Sequence, residues 1–221
     1  MGSDMSEFAS RRLVMVDTQV RPSDVTKFPI IAAMLAIPRE VYVPDGLREA
    51  AYVGQNVDLG GGRVVLEART LAKLLDALDI QPDELVLDIG CGYGYSAAVV
   101  AHLAEAVIAV EEDEAMAAEA QRRLAIEGVD NAAVVAGVLA DGAVKHGPYD
   151  VVTLQGGVEV VPDAVLAQVK DGGRVGAVFM TGALGRAMVG YKTDGRMTWR
   201  FAFNATAPVL PGFAAPRGFT L

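Results

Sequence analysis

Leu85-Val-Leu-Asp-Ile-Gly-Cys-Gly-Tyr-Gly-Tyr95 decides the fold. An apolar run ends in the acid Asp88, and glycines follow at Gly90, Gly92 and Gly94. Such a run delivers the chain to the carboxyl edge of a parallel sheet. Alternating glycines then let the backbone turn tightly and approach a ligand that a Cβ would exclude. A dinucleotide fingerprint wants a third glycine at the position held by Tyr95, so the loop is Gly-x-Gly-x-Gly instead.

The pattern on both sides supports a doubly wound α/β domain. After Pro82 the rhythm predicts strand 84–89, helix 95–104, strand 106–111, helix 114–127 stopped by Gly128, and strand 132–136. Strand 150–154, helix 162–170 and strand 174–180 follow, the last entered through Lys170-Asp-Gly-Gly-Arg174. Segments 187–193 and 197–204 read as a hairpin across Thr193-Asp194-Gly195, giving a mostly parallel sheet an antiparallel edge. Upstream, 9–20 and 26–36 read as helices, the second capped by Thr26 with Pro29 in its first turn. Asp45–Tyr52 reads as a short helix and Gly60-Gly61-Gly62 as a flexible turn. Leu71, Leu74, Leu75 and Leu78 make an amphipathic stripe. The expected organisation is one domain over 1–221, with a helical, substrate-side layer at 5–80 and an α/β core at 81–221.

Composition narrows the partners. The chain has 221 residues, 52% of them hydrophobic, and a net charge of −9. No basic stripe is available to neutralise phosphates, which argues against nucleic acid and against an anionic membrane surface. One cysteine excludes a disulfide framework, and the two histidines, His102 and His146, are not at metal-ligand spacing. No signal-peptide core is visible, so a reducing, cytoplasmic location and no metal are expected.

The glycine loop preceded by Asp88 is the form typical of S-adenosylmethionine (SAM) methyltransferases, in a Rossmann-like fold. Asp88 is expected to accept hydrogen bonds from loop amides or from the ligand's amino group, while Gly90, Cys91, Gly92 and Tyr93 shape the turn. The N-terminus of helix 95–104 suits the ligand's carboxylate. Glu111 closes the next strand, where a carboxylate can hold both ribose hydroxyls, with Glu112 beside it; the alternative is a helix-capping cluster, to which Asp113 belongs in either case. Cys91 lacks a neighbouring cation and reads as a small packed residue. His146 and the pairs Arg11–Arg12 and Arg122–Arg123 read as solvated, and Tyr42, Tyr52 and Trp199 as packing.

With these residues placed, the chain resembles the protein-L-isoaspartate (D-aspartate) O-methyltransferase family over nearly its whole length. The resemblance rests on Met15-Val-Asp-Thr-Gln-Val-Arg21, Ile37-Pro-Arg-Glu-Val-Tyr-Val-Pro44, Ala51-Tyr52, Asp88-Ile-Gly-Cys-Gly-Tyr-Gly-Tyr-Ser-Ala-Ala98, Gly147-Pro-Tyr-Asp150 and Lys170-Asp-Gly-Gly-Arg174. It implies methyl transfer from SAM, releasing S-adenosylhomocysteine, to the α-carboxylate of an isoaspartyl residue in a damaged protein or peptide. The chain departs from the family at two places. The family's active-site serine, in a Thr-Ile-Ser-Gln-Pro-like segment, falls at Leu66 of Val64-Val65-Leu66-Glu67-Ala68, so no catalytic residue is assigned. The family's adenine-reading Gly-Asp-Gly is Gly137-Val138-Leu139, which leaves Val138 and Leu139 to pack on adenine, Asp141 being three residues further on. Two rival readings stay open: a catalytically degenerate binding or regulatory module on the same scaffold, and, less well supported, a nicotinamide-dependent oxidoreductase.

Overall fold

A computed structural model describes residues 2–216, with side chains from Glu7 onward; the last five residues of the expected domain lie outside the described residues. Strands β3 (Leu85–Ile89), β4 (Ala106–Glu111), β5 (Ala132–Ala136), β6 (Tyr149–Val158), β7 (Val169–Thr181), β8 (Leu184–Thr193) and β9 (Arg196–Asn204) form one seven-stranded sheet in the order β5-β4-β3-β6-β7-β8-β9. Pairs from β5 to β7 are parallel, while β7–β8 and β8–β9 are antiparallel. The chain runs outward from β3 through β4 to β5, then returns to β3's other side as β6. That reversal opens a crevice at the carboxyl ends of β3, β4 and β6.

Period-two alternation sorts the strands' side chains between two cores. Val86 joins the larger one with the N-terminal layer, whereas Leu87 and Ile89 join the smaller one with Leu139, Leu210 and Phe213. The layer comprises α1 (Gly2–Met15), α2 (Phe28–Ala36), two 3₁₀ turns (Arg39–Tyr42, Asp45–Tyr52) and α3 (Ala68–Leu78), whose leucine stripe packs against β7, β8 and β9. Helices α4 (Tyr95–Ala101) and α5 (Glu114–Ile126) pack near β4 and β5, and α6 (Asp163–Ala167) lies against β7. Asp113 caps α5 by accepting from Met116 N at 2.8 Å, and Gly128 follows the helix at φ +72°.

Several boundaries differ from expectation. Beyond α1 the backbone passes through a π turn at Val16–Val20 rather than continuing as an α-helix, with Thr18 Oγ1 bonded back to the Val14 carbonyl at 2.7 Å. Lys27, not Thr26, precedes α2, and no side chain caps it. The helix foreseen over 162–170 stops at Ala167 because Val169 pairs with Tyr149 as the start of β7. Lys170–Gly173 then form a bulge before Arg174 resumes pairing opposite Val151. The Gly60–Gly62 turn joins two short strands, β1 (Val57–Gly60) and β2 (Arg63–Val65), in a hairpin of their own. Among the described residues no helix is long and apolar enough to cross a membrane.

Candidate functional site

The turn after β3 sits in the crevice and needs its glycines: φ is +78° at Gly90, +56° at Gly92 and +97° at Gly94, in the left-handed region that side chains rarely enter. Gly90 N and Cys91 N donate to the Val110 carbonyl at 2.8 and 3.3 Å, tying the turn to β4. Tyr95–Ala101 follow as a seven-residue helix, shorter than expected and buried along its whole length.

Asp88 is completely buried, and of the donors expected for it, loop amides or a ligand's amino group, the first give way to side chains. Its Oδ2 accepts from Ser96 Oγ at 2.5 Å, and its Oδ1 from Thr153 Oγ1 and Gln155 Nε2, both at 2.7 Å. Burial raises its pKa, against the three donors that favour the anion. A carboxyl raised in the fold stabilises it most below its unfolded pKa, and that contribution is lost as pH rises through the folded pKa. The stability of Asp88→Asn relative to the native chain is therefore expected to climb as pH rises from about 4, read as the difference in Tm across a pH series. A pH-independent difference would remove burial as the dominant influence.

Glu111, at the end of β4, is also completely buried. Its carboxylate accepts from Gly92 N at 3.1 Å, Glu112 N at 2.8 Å and Asp113 N at 3.1 Å. Arg63 Nε reaches both oxygens at 3.0 Å, while Arg63 Nη2 lies 3.6 Å from the half-exposed Glu112. The hairpin thus plants a guanidinium, itself only 5% exposed, on the strand-end acid.

Two leucines complete the closure. A Cβ built on Gly92 would lie 2.7 Å from Leu59 Cδ1, so Leu59 of the hairpin covers that glycine. From the smaller core, Leu210 Cδ2 stands 3.2 Å from a Cβ built on Gly90 and 2.6 Å from one on Gly156. Leu210 belongs to a C-terminal strap laid on the end of β6: Gly157 N donates to Pro208 O at 2.7 Å, and Leu210 N to Gly157 O at 2.9 Å. The gap left between Leu66, Cys91, Tyr95, Ser96 and Gln155 is about 10 Å³, room for roughly one water.

The other expected residues divide clearly. Cys91 is buried, and burial first, then Asp88 and Glu111, push its thiol well above the ordinary value, consistent with packing rather than reaction. Tyr93 is half-buried beneath Arg123, whose guanidinium lies 4.5 Å from the ring centroid. Leu139 is buried and packs with Leu210, whereas Val138 is 50% exposed. His146 and Asp141 are exposed at the surface. Arg12 and Arg123 are not solvated helix faces. Arg12 bonds Tyr52 Oη and the Leu35 and Ala36 carbonyls, and Arg123 holds the Val41 and Val43 carbonyls. Tyr52 likewise does more than pack, since it donates to Glu40. Trp199 packs edge-on against Phe179.

On the opposite side of the turn, Leu66 is 2% exposed. The fully buried Arg39 donates from Nη2 to the Leu66 carbonyl at 2.7 Å and from Nε to the Ala51 carbonyl, with its guanidinium 4.8 Å from the Tyr95 ring centroid. That explains the Pro-Arg-Glu element: it fixes the segment leading into α3. Beyond Leu66 opens a groove of about 470 Å³ lined by Glu67, Arg186, Asn204 and Thr206. Sequence reading missed Arg63, Thr153, Gln155 and the strap. For Arg63 the three-glycine turn between short β-branched pieces was a usable hairpin signal; for the others no local signal exists. No group of metal-binding side chains is found among the described residues.

The sequence profile described as protein-L-isoaspartate(D-aspartate) O-methyltransferase matches residues 14–184. A protein-L-isoaspartate O-methyltransferase 2 of Pelobacter propionicus is 34% identical over 165 residues, covering 75% of this chain and 73% of the relative. That of Syntrophus aciditrophicus is 34% identical over 171 residues, covering 77% and 78%. Among solved structures, a protein-L-isoaspartate O-methyltransferase superposes with a TM-score of 0.78 at 23% identity, over 93% of this chain and 66% of its own. A Plasmodium falciparum protein described as a putative member of that class, in complex with S-adenosyl-L-homocysteine, gives 0.75 at 14% identity, over 90% and 97%. These superpositions establish a shared fold.

Proposed function

The chain belongs to the protein-L-isoaspartate(D-aspartate) O-methyltransferase family, and from that premise we propose that it transfers a methyl group from SAM to a carboxylate of an isoaspartyl-bearing protein or peptide. The family's enzymes are SAM-dependent O-methyltransferases, and the fold here is theirs. The observation that carries the reading is the pairing of a glycine turn with a buried strand-end acid, Gly92 N to Glu111 at 3.1 Å, at the sheet's switch point.

In this proposal Asp88, Gly90, Cys91, Gly92 and Tyr93 form the cofactor turn. Glu111 and Glu112 serve the ribose, Val138 and Leu139 the adenine. Residues 5–80 supply the acceptor side and 81–221 the cofactor core, in a cytoplasmic protein. The donor set agrees in kind with SAM, since Glu111 offers two oxygens for a diol. Its space does not: Leu59, Arg63 and Leu210 fill the cradle, which in this arrangement does not accept the cofactor.

Leu66 weighs on the acceptor side. SAM supplies an activated methyl, and a carboxylate is already an adequate nucleophile, so alignment matters more than a strong base. A hydroxyl at this position would add one hydrogen bond to a charged group, roughly 1.5–3 kcal/mol, or about one to two decades in rate. Leu66→Ser is expected to raise kcat/KM for an isoaspartyl peptide by about 10- to 100-fold, measured by radiolabelled methyl transfer against the matching aspartyl peptide. It also exposes a small cavity, costing about 2–4 kcal/mol, so folding is checked by circular dichroism. A folded Leu66→Ser protein as inert as the native chain would turn the choice toward the binding-module reading. The closed cradle is the specific observation favouring that second reading.

A further inference from the structure

We propose that Arg63 is an internal substitute for the cofactor's ribose, and that the tip of the β1–β2 hairpin, from Leu59 to Arg63, is a latch which must leave the cradle before SAM enters. The inference rests on the proposed cofactor reading. Its starting point is the disagreement between a donor set suited to SAM and a space already taken. Glu111 is the group expected to hold the ribose diol, yet both its oxygens accept from Arg63 Nε at 3.0 Å. Leu59, four residues earlier on the same hairpin, covers Gly92, the glycine whose N–H also serves Glu111. One small element therefore blocks both the acid and the turn.

The hairpin's tip can move on a packed base: Val57, Val64 and Val65 are buried in the larger core, whereas Asp58, Gly60, Gly61 and Gly62 are exposed. The hairpin's strands pair with each other and with neither edge of the seven-stranded sheet, so displacing the tip breaks none of that sheet's ladder. Its turn runs through three glycines, Gly60, Gly61 and Gly62, at φ +83°, +59° and +76°, with nothing within 4 Å of a Cβ built on any of them. A two-stranded hairpin has little stability of its own. Its base is held by Val57, Val64 and Val65 in the larger core, and its tip rests on Gly92 through Leu59 and on Glu111 through Arg63.

The exchange is chemically balanced. Two ribose hydroxyls replace the guanidinium as donors to Glu111, and Arg63 returns to water; the carboxylate keeps its three backbone N–H donors throughout. Because the incoming donors are neutral and the outgoing one is charged, the self-contact opposes binding. Arg63 thus sets cofactor affinity, and removing its charge strengthens binding rather than weakening it. A residue that touched SAM favourably would behave in the opposite way.

The experiment compares S-adenosylhomocysteine binding to the native chain and to Arg63→Gln by calorimetry, with limited trypsin digestion of the native chain alongside. The expected result is at least a tenfold lower Kd for Arg63→Gln, and faster trypsin cleavage after Arg63 when S-adenosylhomocysteine is saturating. Equal or weaker binding by the variant, with Arg63 shielded by ligand, overturns the latch and leaves the cofactor reading standing. Absence of binding to both proteins, each folded by circular dichroism, overturns the cofactor reading and the latch with it. If Arg63→Gln does not fold, the native digestion decides: ligand-accelerated cleavage after Arg63 supports the latch, and protection overturns it.

Discussion

Glu111→Leu is expected to destabilise the protein by about 3–5 kcal/mol, the usual cost of removing one partner from a buried ion pair. The loss comes mostly from what remains. Arg63 is 5% exposed, and without Glu111 its nearest carboxylate is Glu112 at 3.6 Å from Nη2. The Gly92 N–H, which donates to Glu111, loses its acceptor as well. Replacing both partners by apolar residues removes the stranded charge, so Arg63→Leu combined with Glu111→Leu is expected to recover more than half of the loss. Urea denaturation of the two single variants and the double variant closes the cycle. If the double variant is no better than Glu111→Leu, the backbone amides on the carboxylate carry the energy and the ion pair contributes little.

Much of the fold was legible because its signals are local. The turn glycines, the Asp113 cap, Gly128 after α5 and the Thr193-Asp194-Gly195 hairpin each follow from chemistry within a few residues. The leucine stripe fixed α3 in the same way. What escaped depends on distant partners. Asp88 is legible as the acid ending an apolar run, but its donors Thr153 and Gln155 arrive from β6, a neighbour made only by the crossover. Arg63 and Glu111 lie 48 residues apart, and neither residue's neighbours announce the other. Helix 162–170 was overrun by β7 because pairing of Val169 with Tyr149 outweighs local helix preference. The glycine turn and the acids ending its two strands are therefore legible in the sequence, whereas the packing that closes over them is a property of the tertiary structure.

The C-terminal strap supplies the second large effect. Gly157 carries no side chain because the strap's backbone leaves no room for one: a built Cβ would lie 2.5 Å from the Ala207 carbonyl oxygen and 2.7 Å from Met180 Cγ. Gly157→Ala must therefore push the strap off β6. At stake are four backbone hydrogen bonds, Gly157 N to Pro208 O, Leu210 N to Gly157 O, and Glu159 N and Val160 N to Phe213 O, about 1 kcal/mol each. Leu210 and Phe213, buried to 1% and 0%, would add roughly 1.5–3 kcal/mol apiece on exposure. The expected destabilisation is thus about 7–10 kcal/mol if the strap undocks fully, against about 0.5 kcal/mol or less for Gly46→Ala, where nothing lies within 4 Å of the new Cβ. Hydrogen exchange at the Leu210 amide, bonded to Gly157 O, and at the Phe213 amide, bonded to Leu210 O, reports the event directly. Fast exchange there, with the Leu87 and Val110 amides still protected, marks local undocking. Unchanged exchange would mean that the Ala207 carbonyl yields and the strap stays. Because Leu210 is the side chain over Gly90 and Gly156, undocking also clears the cradle from the side opposite the hairpin. Gly157→Ala and Arg63→Gln therefore open one shared cavity from two sides, and their effects on ligand affinity should couple rather than add.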